Sequence, residues 1–217
     1  MVLGSTSRCP LAPGLGAALL LALVGFACIR TDCSADADEQ LYLTHGLRLP
    51  IVRDDTQGAS IRPFAAGGEA AAHVFVFTLT DCPISNRYAP RIVELAQAYA
   101  SRGVRFHLVY PDSTESDAEV RTHLVDYGYR DVLTALRDPQ HELVRLAGAT
   151  VTPEACLFLP DGTLAYRGRI DDQHADFGKT RPRASEQDLA RALDEVLAGR
   201  PVSVPRTEAV GCYIPEP

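Results

Sequence analysis

Residues 74–90 read Val-Phe-Val-Phe-Thr-Leu-Thr-Asp-Cys-Pro-Ile-Ser-Asn-Arg-Tyr-Ala-Pro. The unbroken apolar run Val74 to Phe77 predicts a buried strand, and Thr78 to Asp81 supplies a short turn. Cys82 then opens a helix, with Pro83 at the first helical position, where a missing N–H costs nothing. A cysteine placed there meets free backbone N–H groups and the positive end of the helix dipole. Both favour the thiolate, which is the nucleophilic form. Cys82 is therefore the candidate reactive atom, set against the plainer reading of a small buried hydrophobe.

Outward from this stretch, Ile92, Leu95, Ala96 and Tyr99 continue one helical face that stops at Gly103. Val104 to Val109 is the next strand. Ser116 with Glu119 forms a capping box for a second helix bearing Val120, Leu124 and Tyr127. Asp138-Pro139 starts a short third helix through Leu146, with Gly148 beyond it. Val151-Thr152-Pro153 leads into the strand Ala155 to Leu159, Pro160-Asp161-Gly162 turns, and Leu164 to Arg167 returns as a hairpin partner. Ile170 to Ala184 reads as a loop. Ser185 with Asp188 opens the last helix, whose Leu189, Leu193, Val196 and Leu197 share a face. Upstream, Leu41 to Val52 and Ala59 to Phe64 flank the turn signal Asp54 to Gly58 and predict an N-terminal hairpin. The order predicts an α/β fold: a central mixed β-sheet flanked by helices, with an N-terminal β-hairpin extension.

The chain has 217 residues, a formal charge of −7 and a pI near 5.3. With no dense Lys/Arg run, it is not expected to bind nucleic acid, and an anionic membrane surface is equally disfavoured. Between Arg8 and Arg30 there is no charge, and Gly14 to Ile29 is apolar. Residues 1–35 are therefore expected to be an export signal, placing the protein in the periplasm or cell envelope. Cleavage near Ala35 or Ala37, a lipoprotein signal acylated at Cys28, and an uncleaved membrane anchor are three readings of that segment. Residues 40–200 are expected to form the domain and residues 201–217 a tail carrying Cys212. An exported chain meets an oxidising compartment, so a disulfide is available to Cys82, Cys156 and Cys212. Cys156 lies in an apolar strand run and reads as core; Cys212 sits in a tail with little periodicity and has no packing reason to be there.

Taken together, these residues resemble the thioredoxin-like superfamily, specifically exported redoxins of its peroxiredoxin-related and membrane-anchored thioredoxin-like branches. The resemblance runs from about Leu47 to Gly199. It rests on Cys82 and Pro90 at the family's spacing along the first helix, and on Thr152-Pro153, which looks like the cis-proline that presents a backbone edge to the substrate. Thr80-x-Cys82-Pro83-Ile84-x-Asn86-Arg87-Tyr88-Ala89-Pro90, with the tail Gly211-Cys212-Tyr213-Ile214, is similar to one group of bacterial redoxins. The resemblance implies Cys82 and Cys212 as catalytic residues and Thr152 and Pro153 as substrate-binding residues. Asn86 and Arg87 are further substrate-binding candidates, with Asn86 lining the cleft or holding the loop Ile170 to Ala184, and Arg87 steadying the Cys82 thiolate or forming a surface ion pair. It implies no metal and no cofactor, since haem or copper in that group belongs to domains beyond the tail.

Two departures matter. Ser85 takes the place of the second cysteine of a C-x-x-C pair, so a mixed disulfide cannot be resolved locally. Either Cys82 works as a monothiol or a remote cysteine resolves it, with Cys212 expected to reach the helix-one cleft as the tail after Pro205 folds back, and Cys156 the competing candidate. Phe75 and Leu79 stand where peroxiredoxins carry Pro and Thr. Three functions follow as expectations: an exported thiol-disulfide oxidoreductase acting on protein or small-molecule thiols and disulfides; a thiol peroxidase in which peroxide oxidises Cys82 to a sulfenic acid; and a non-catalytic or copper-carrying binding module. Two further features carry ordinary readings. The acidic cluster Asp171, Asp172, His174 and Asp176 is read as a solvated loop rather than a cation site, and His107 as a strand residue rather than a ligand.

Overall fold

The computed structural model describes residues 46–52, 58–65, 68–176 and 178–217. The expected signal at 1–35 lies outside the described residues, as do 41–45 and 53–57 of the expected hairpin. What is described of that hairpin is short: β1 (Leu49–Val52) pairs antiparallel with β2 (Ser60–Ile61).

The centre is β3 (Ala72–Phe77), parallel to β4 (Val104–Tyr110) and antiparallel to β7 (Glu154–Phe158). Beyond β4 lies β5 (Thr134–Arg137), and beyond β7 lies β8 (Leu164–Gly168), giving one seven-stranded mixed sheet in the order β2-β1-β5-β4-β3-β7-β8. Every residue of β3 is buried, because both faces of the sheet are covered. Val74 and Val76 face α1 (Pro83–Ala100) and, further along the chain, α4 (Asp188–Leu197), through Ile84, Ile92, Leu95, Leu189 and Leu193. Phe75 and Phe77 face the other way, against Phe64, Phe158 and the helix α3 (Glu142–Ala147). The run Val74 to Phe77 is continuous because alternate side chains fill two different cores.

The remaining helix, α2 (Asp117–Asp126), starts as expected: the Ser116 hydroxyl accepts from Glu119 N–H at 3.2 Å while the Glu119 carboxylate accepts from Ser116 N–H at 2.7 Å. Four details differ from the sequence reading. β5 has no signal in the sequence; Thr-Ala-Leu-Arg is too short to show a period, and pairing with β4 and β1 makes it a strand. α3 begins later than Asp138-Pro139 suggests, at Glu142, although Asp138 still caps it by accepting from Glu142 N–H and Val144 N–H, both at 2.8 Å. Inside Ile170 to Ala184 there is a small hairpin of β9 (His174–Asp176) and β10 (Lys179–Thr180). Ser185 does not cap the last helix: its N–H and hydroxyl both donate to Asp172, and Asp188 is a buried acid paired with Arg169 and Arg191.

Candidate active site

Cys82 is the N-cap residue of α1, followed by Pro83, and is 1% exposed. Two other segments reach it. One is the loop in which β6 (Val151–Thr152) ends at a cis Thr152-Pro153 bond; the Thr152 carbonyl oxygen lies 3.1 Å from the Cys82 sulfur. The other is the tail. Its short strand β11 (Cys212–Tyr213) pairs antiparallel with β6, Cys212 opposite Thr152 and Tyr213 opposite Val151, and Ile214 N–H donates to Thr150 O at 3.1 Å. That pairing sets the Cys212 sulfur 3.0 Å from the Cys82 sulfur. The structure thus brings Cys82, Cys212, Thr152 and Pro153 together.

The two thiols differ sharply. Burial pushes Cys82 up, but favourable interactions with Cys212, with the side chains of Ser85 and Thr152 and with Ser85 N–H outweigh it and lower its pKa to about 7. Ser85 is buried, and its hydroxyl meets full hydrogen-bond geometry with no group, so its effect on the nearby Cys82 sulfur is that of an oriented hydroxyl and not of a formed bond. Where a second thiol would sit in a C-x-x-C pair, a small hydroxyl instead favours the Cys82 thiolate. Cys212 is pushed up to about 12, first by burial and then by its hydrogen bond to Cys82 and the negative charge there. Cys156 lies on the opposite face of the sheet among Phe75, Phe158 and Leu143, with its pKa raised by burial and by Glu154. It faces away from Cys82.

Asn86 and Arg87 are not brought to the sulfur. Asn86 holds the turn before Cys82: its amide nitrogen donates to Thr80 O at 3.0 Å, and its oxygen accepts from His123 Nε2 at 2.7 Å. That leaves His123 Nδ1 as acceptor for the Tyr110 hydroxyl at 2.8 Å, so one donor-to-acceptor chain runs from β4 through α2 to the turn. Thr80 N–H donates to Glu115 at 2.6 Å. Arg87 is exposed, and its charge acts on His174, whose pKa is lowered by burial first and by Arg87 second. Tyr88 ties α1 to the 170s loop, donating to Asp171 at 2.8 Å and packing on His174. The acids of that loop are each engaged: Asp171 with Tyr88, Asp172 with Ser185, Asp176 with Lys179.

One residue that sequence reasoning passed over shapes the site. Glu154, directly after Pro153, is buried; it accepts from Thr150 N–H at 2.8 Å and lies 3.2 Å from Arg167 Nε. It fixes the loop that carries the Thr152 carbonyl. Its signal was weak, a single acid at the start of an apolar run.

No family model matches the chain, and no curated protein matches it in sequence. Solved structures do match. An uncharacterized conserved protein from Geobacillus kaustophilus shares 23% identity at a TM-score of 0.62, covering 79% of this chain and 96% of that one. A thioredoxin-like protein from Aeropyrum pernix shares 13% identity at 0.51, with 76% and 96% covered. DsbF of MTB, solved in mixed oxidized and reduced forms, shares 17% at 0.51, with 71% and 97% covered. The fold is thioredoxin-like. At these identities the likeness concerns the fold, and the chemistry has to come from the site.

Proposed function

We propose that this protein is an exported thiol-disulfide oxidoreductase in which Cys82 is the nucleophile and Cys212 the resolving thiol. The observation that carries the reading is the pair of sulfurs 3.0 Å apart beside the cis-proline loop, one with its pKa at about 7 and the other at about 12. Near neutral pH this is a thiolate accepting a hydrogen bond from a thiol. The Cys82 thiolate attacks one sulfur of a substrate disulfide, forming a Cys82–substrate disulfide and expelling the other substrate sulfur as a thiolate that takes up a proton. The negative charge on Cys82 is then gone, which removes one of the causes holding Cys212 protonated. Cys212 loses its proton and attacks the Cys82 sulfur, forming the Cys82–Cys212 disulfide and expelling the second substrate thiolate, which is protonated in turn. Two electrons pass from the cysteine pair to the substrate, with one proton released by Cys212 and one taken from solvent; an external dithiol restores the pair.

Export is supported by the charge-free segment between Arg8 and Arg30. Among the described residues, no helix is long and apolar enough to cross a membrane. Disulfide exchange is favoured over peroxide reduction because the Thr78 hydroxyl is turned to the Leu79 carbonyl and Arg87 lies on the exposed face. The test is a trapping experiment with a protein disulfide. Cys212→Ser accumulates a mixed disulfide through Cys82, and Cys82→Ser forms none; a Cys82→Ser variant with full reductase activity refutes the proposal.

A further inference from the structure

The tail is fixed to the body at two places, with a cavity between them. Residues 205–207 are held against β8: Arg167 N–H donates to Pro205 O at 3.0 Å, Thr207 N–H donates to Arg167 O at 3.1 Å, and the Thr207 hydroxyl lies 2.6 Å from the Tyr166 hydroxyl. Glu208, Ala209 and Val210 then border a cavity of about 670 Å³ whose other walls include Glu154 and Arg167. Val210 packs on the core, and from Gly211 the chain joins the site, where β11 adds itself to the edge of β6. The attachment there joins backbone pairing to packing of Val210, Cys212 and Ile214 on the core, while Tyr213 is 81% exposed. Strand addition of this kind binds through the main chain and selects through individual side-chain positions. The tail therefore occupies a docking edge for an extended peptide, directly beside the nucleophile.

Gly211 sets what fits there. A Cβ at this position would stand 2.0 Å from the Thr152 carbonyl oxygen and 2.5 Å from its carbon. Those are backbone atoms of the site itself and cannot swing aside. The residue's φ is not in the left-handed region, so the requirement is for space and not for conformation. Any chain in the same register meets the same carbonyl, so the residue before its cysteine must be glycine. The residue after the cysteine is free, as Tyr213 faces solvent. The next one is apolar, since Ile214 packs against the core around Leu49, Phe64 and Leu143.

We infer that the external partner of Cys82 is an extended polypeptide bearing Gly-Cys-X-aliphatic, which replaces residues 211–214 on the Thr152 edge while 205–207 stay in place, Glu208 and Ala209 act as the hinge and Val210 leaves the core with the tail. This rests on Cys82 being the exchange nucleophile. The partner's cysteine enters as a disulfide with a leaving thiol. Cys82 bonds to the cysteine sulfur, the leaving thiolate departs and is protonated, and the tail then returns, bringing Cys212 to expel the partner as its thiolate.

The test uses the full chain and two peptides, Val-Gly-Cys-Tyr-Ile and Val-Ala-Cys-Tyr-Ile, each with its cysteine blocked by thionitrobenzoate, whose release is followed by absorbance. Cys212→Ser keeps the tail docked; Gly211→Ala combined with Cys212→Ser forces it off the edge. The double variant is expected to react about tenfold faster with the glycine peptide than with the alanine peptide, a difference of about 1.4 kcal/mol. With the glycine peptide it is also expected to outpace Cys212→Ser by a similar factor. Equal rates for the two peptides in the double variant, or equal rates for the two variants, overturn the inference. Glutathione disulfide, too small to need the edge, separates the two levels of the account. Exchange with it but no glycine preference removes only the docking inference, whereas inertness toward it as well removes the disulfide-exchange reading beneath.

Discussion

Cys82 gains its reactivity from neighbours that stabilise a negative sulfur inside a buried site, and the dependence on pH follows directly. With a pKa of about 7, the thiolate fraction falls about tenfold for each pH unit below that value. Alkylation by iodoacetamide should show a midpoint near pH 7. Cys212→Ala, which removes the leading favourable hydrogen bond, should move the midpoint upward; an unchanged midpoint would show that Cys212 does not act on Cys82. Glu154 offers a second test. Truncating it to alanine leaves Arg167 without its buried partner and Thr150 N–H without an acceptor, and should cost about 3 kcal/mol in urea unfolding. A loss below about 0.5 kcal/mol would place this pair with ordinary surface pairs. At this scale the sequence was informative where a residue type is rare or its position constrained. Cys82 at a helix start, Pro153 after Thr152 and an otherwise purposeless Cys212 were all legible. For Asn86 and Arg87 the spacing leaves open whether a side chain turns toward the sulfur or away; Asn86 turns to Thr80 and His123, and Arg87 is exposed.

Among the elements, the turn before α1 depends on α2, through His123, Asn86 and Thr80. Asn86→Ala strips the buried His123 of its acceptor and Thr80 O of its donor, and should cost about 1–3 kcal/mol by denaturant unfolding. A neutral result would mean water replaces the amide. The long helices and β3 could be read in advance because each shows its own periodicity or an unbroken apolar run. The capping box at Ser116 was readable for the same local reason. β5, β6 and β11 could not be, since two to four residues carry no period and their pairing is decided by segments far away in the chain. β11 is the consequential case: Ser85 points to the tail folding back to the cleft, but the tail's own residues carry no strand pattern, and pairing with β6 makes it the third side of the site.

The molecule as a whole should respond to both acid and oxidation. Burial holds His73 and His123 at about 4 and His107 at about 3, against an ordinary 6.5, so the folded state binds fewer protons than the unfolded chain. Their contribution is fully present above pH 6.5 and is lost as pH falls from 6.5 toward 3. Melting temperature should decline across that window; a flat profile would contradict the neutral, buried state of these rings. Joining Cys82 to Cys212 closes a loop spanning 130 residues and should stabilise the fold by about 5 kcal/mol in the loop-entropy model. Oxidised protein that unfolds at the same urea concentration as reduced protein would argue against the bridge. The central claim, that these two cysteines are the redox pair, is tested most directly by treating reduced full-length protein with one equivalent of a disulfide, blocking free thiols and mapping linked peptides by mass spectrometry. A Cys82–Cys212 linkage is expected, with Cys156 recovered as a blocked free thiol. A Cys82–Cys156 linkage, or Cys82 recovered unlinked, would contradict it.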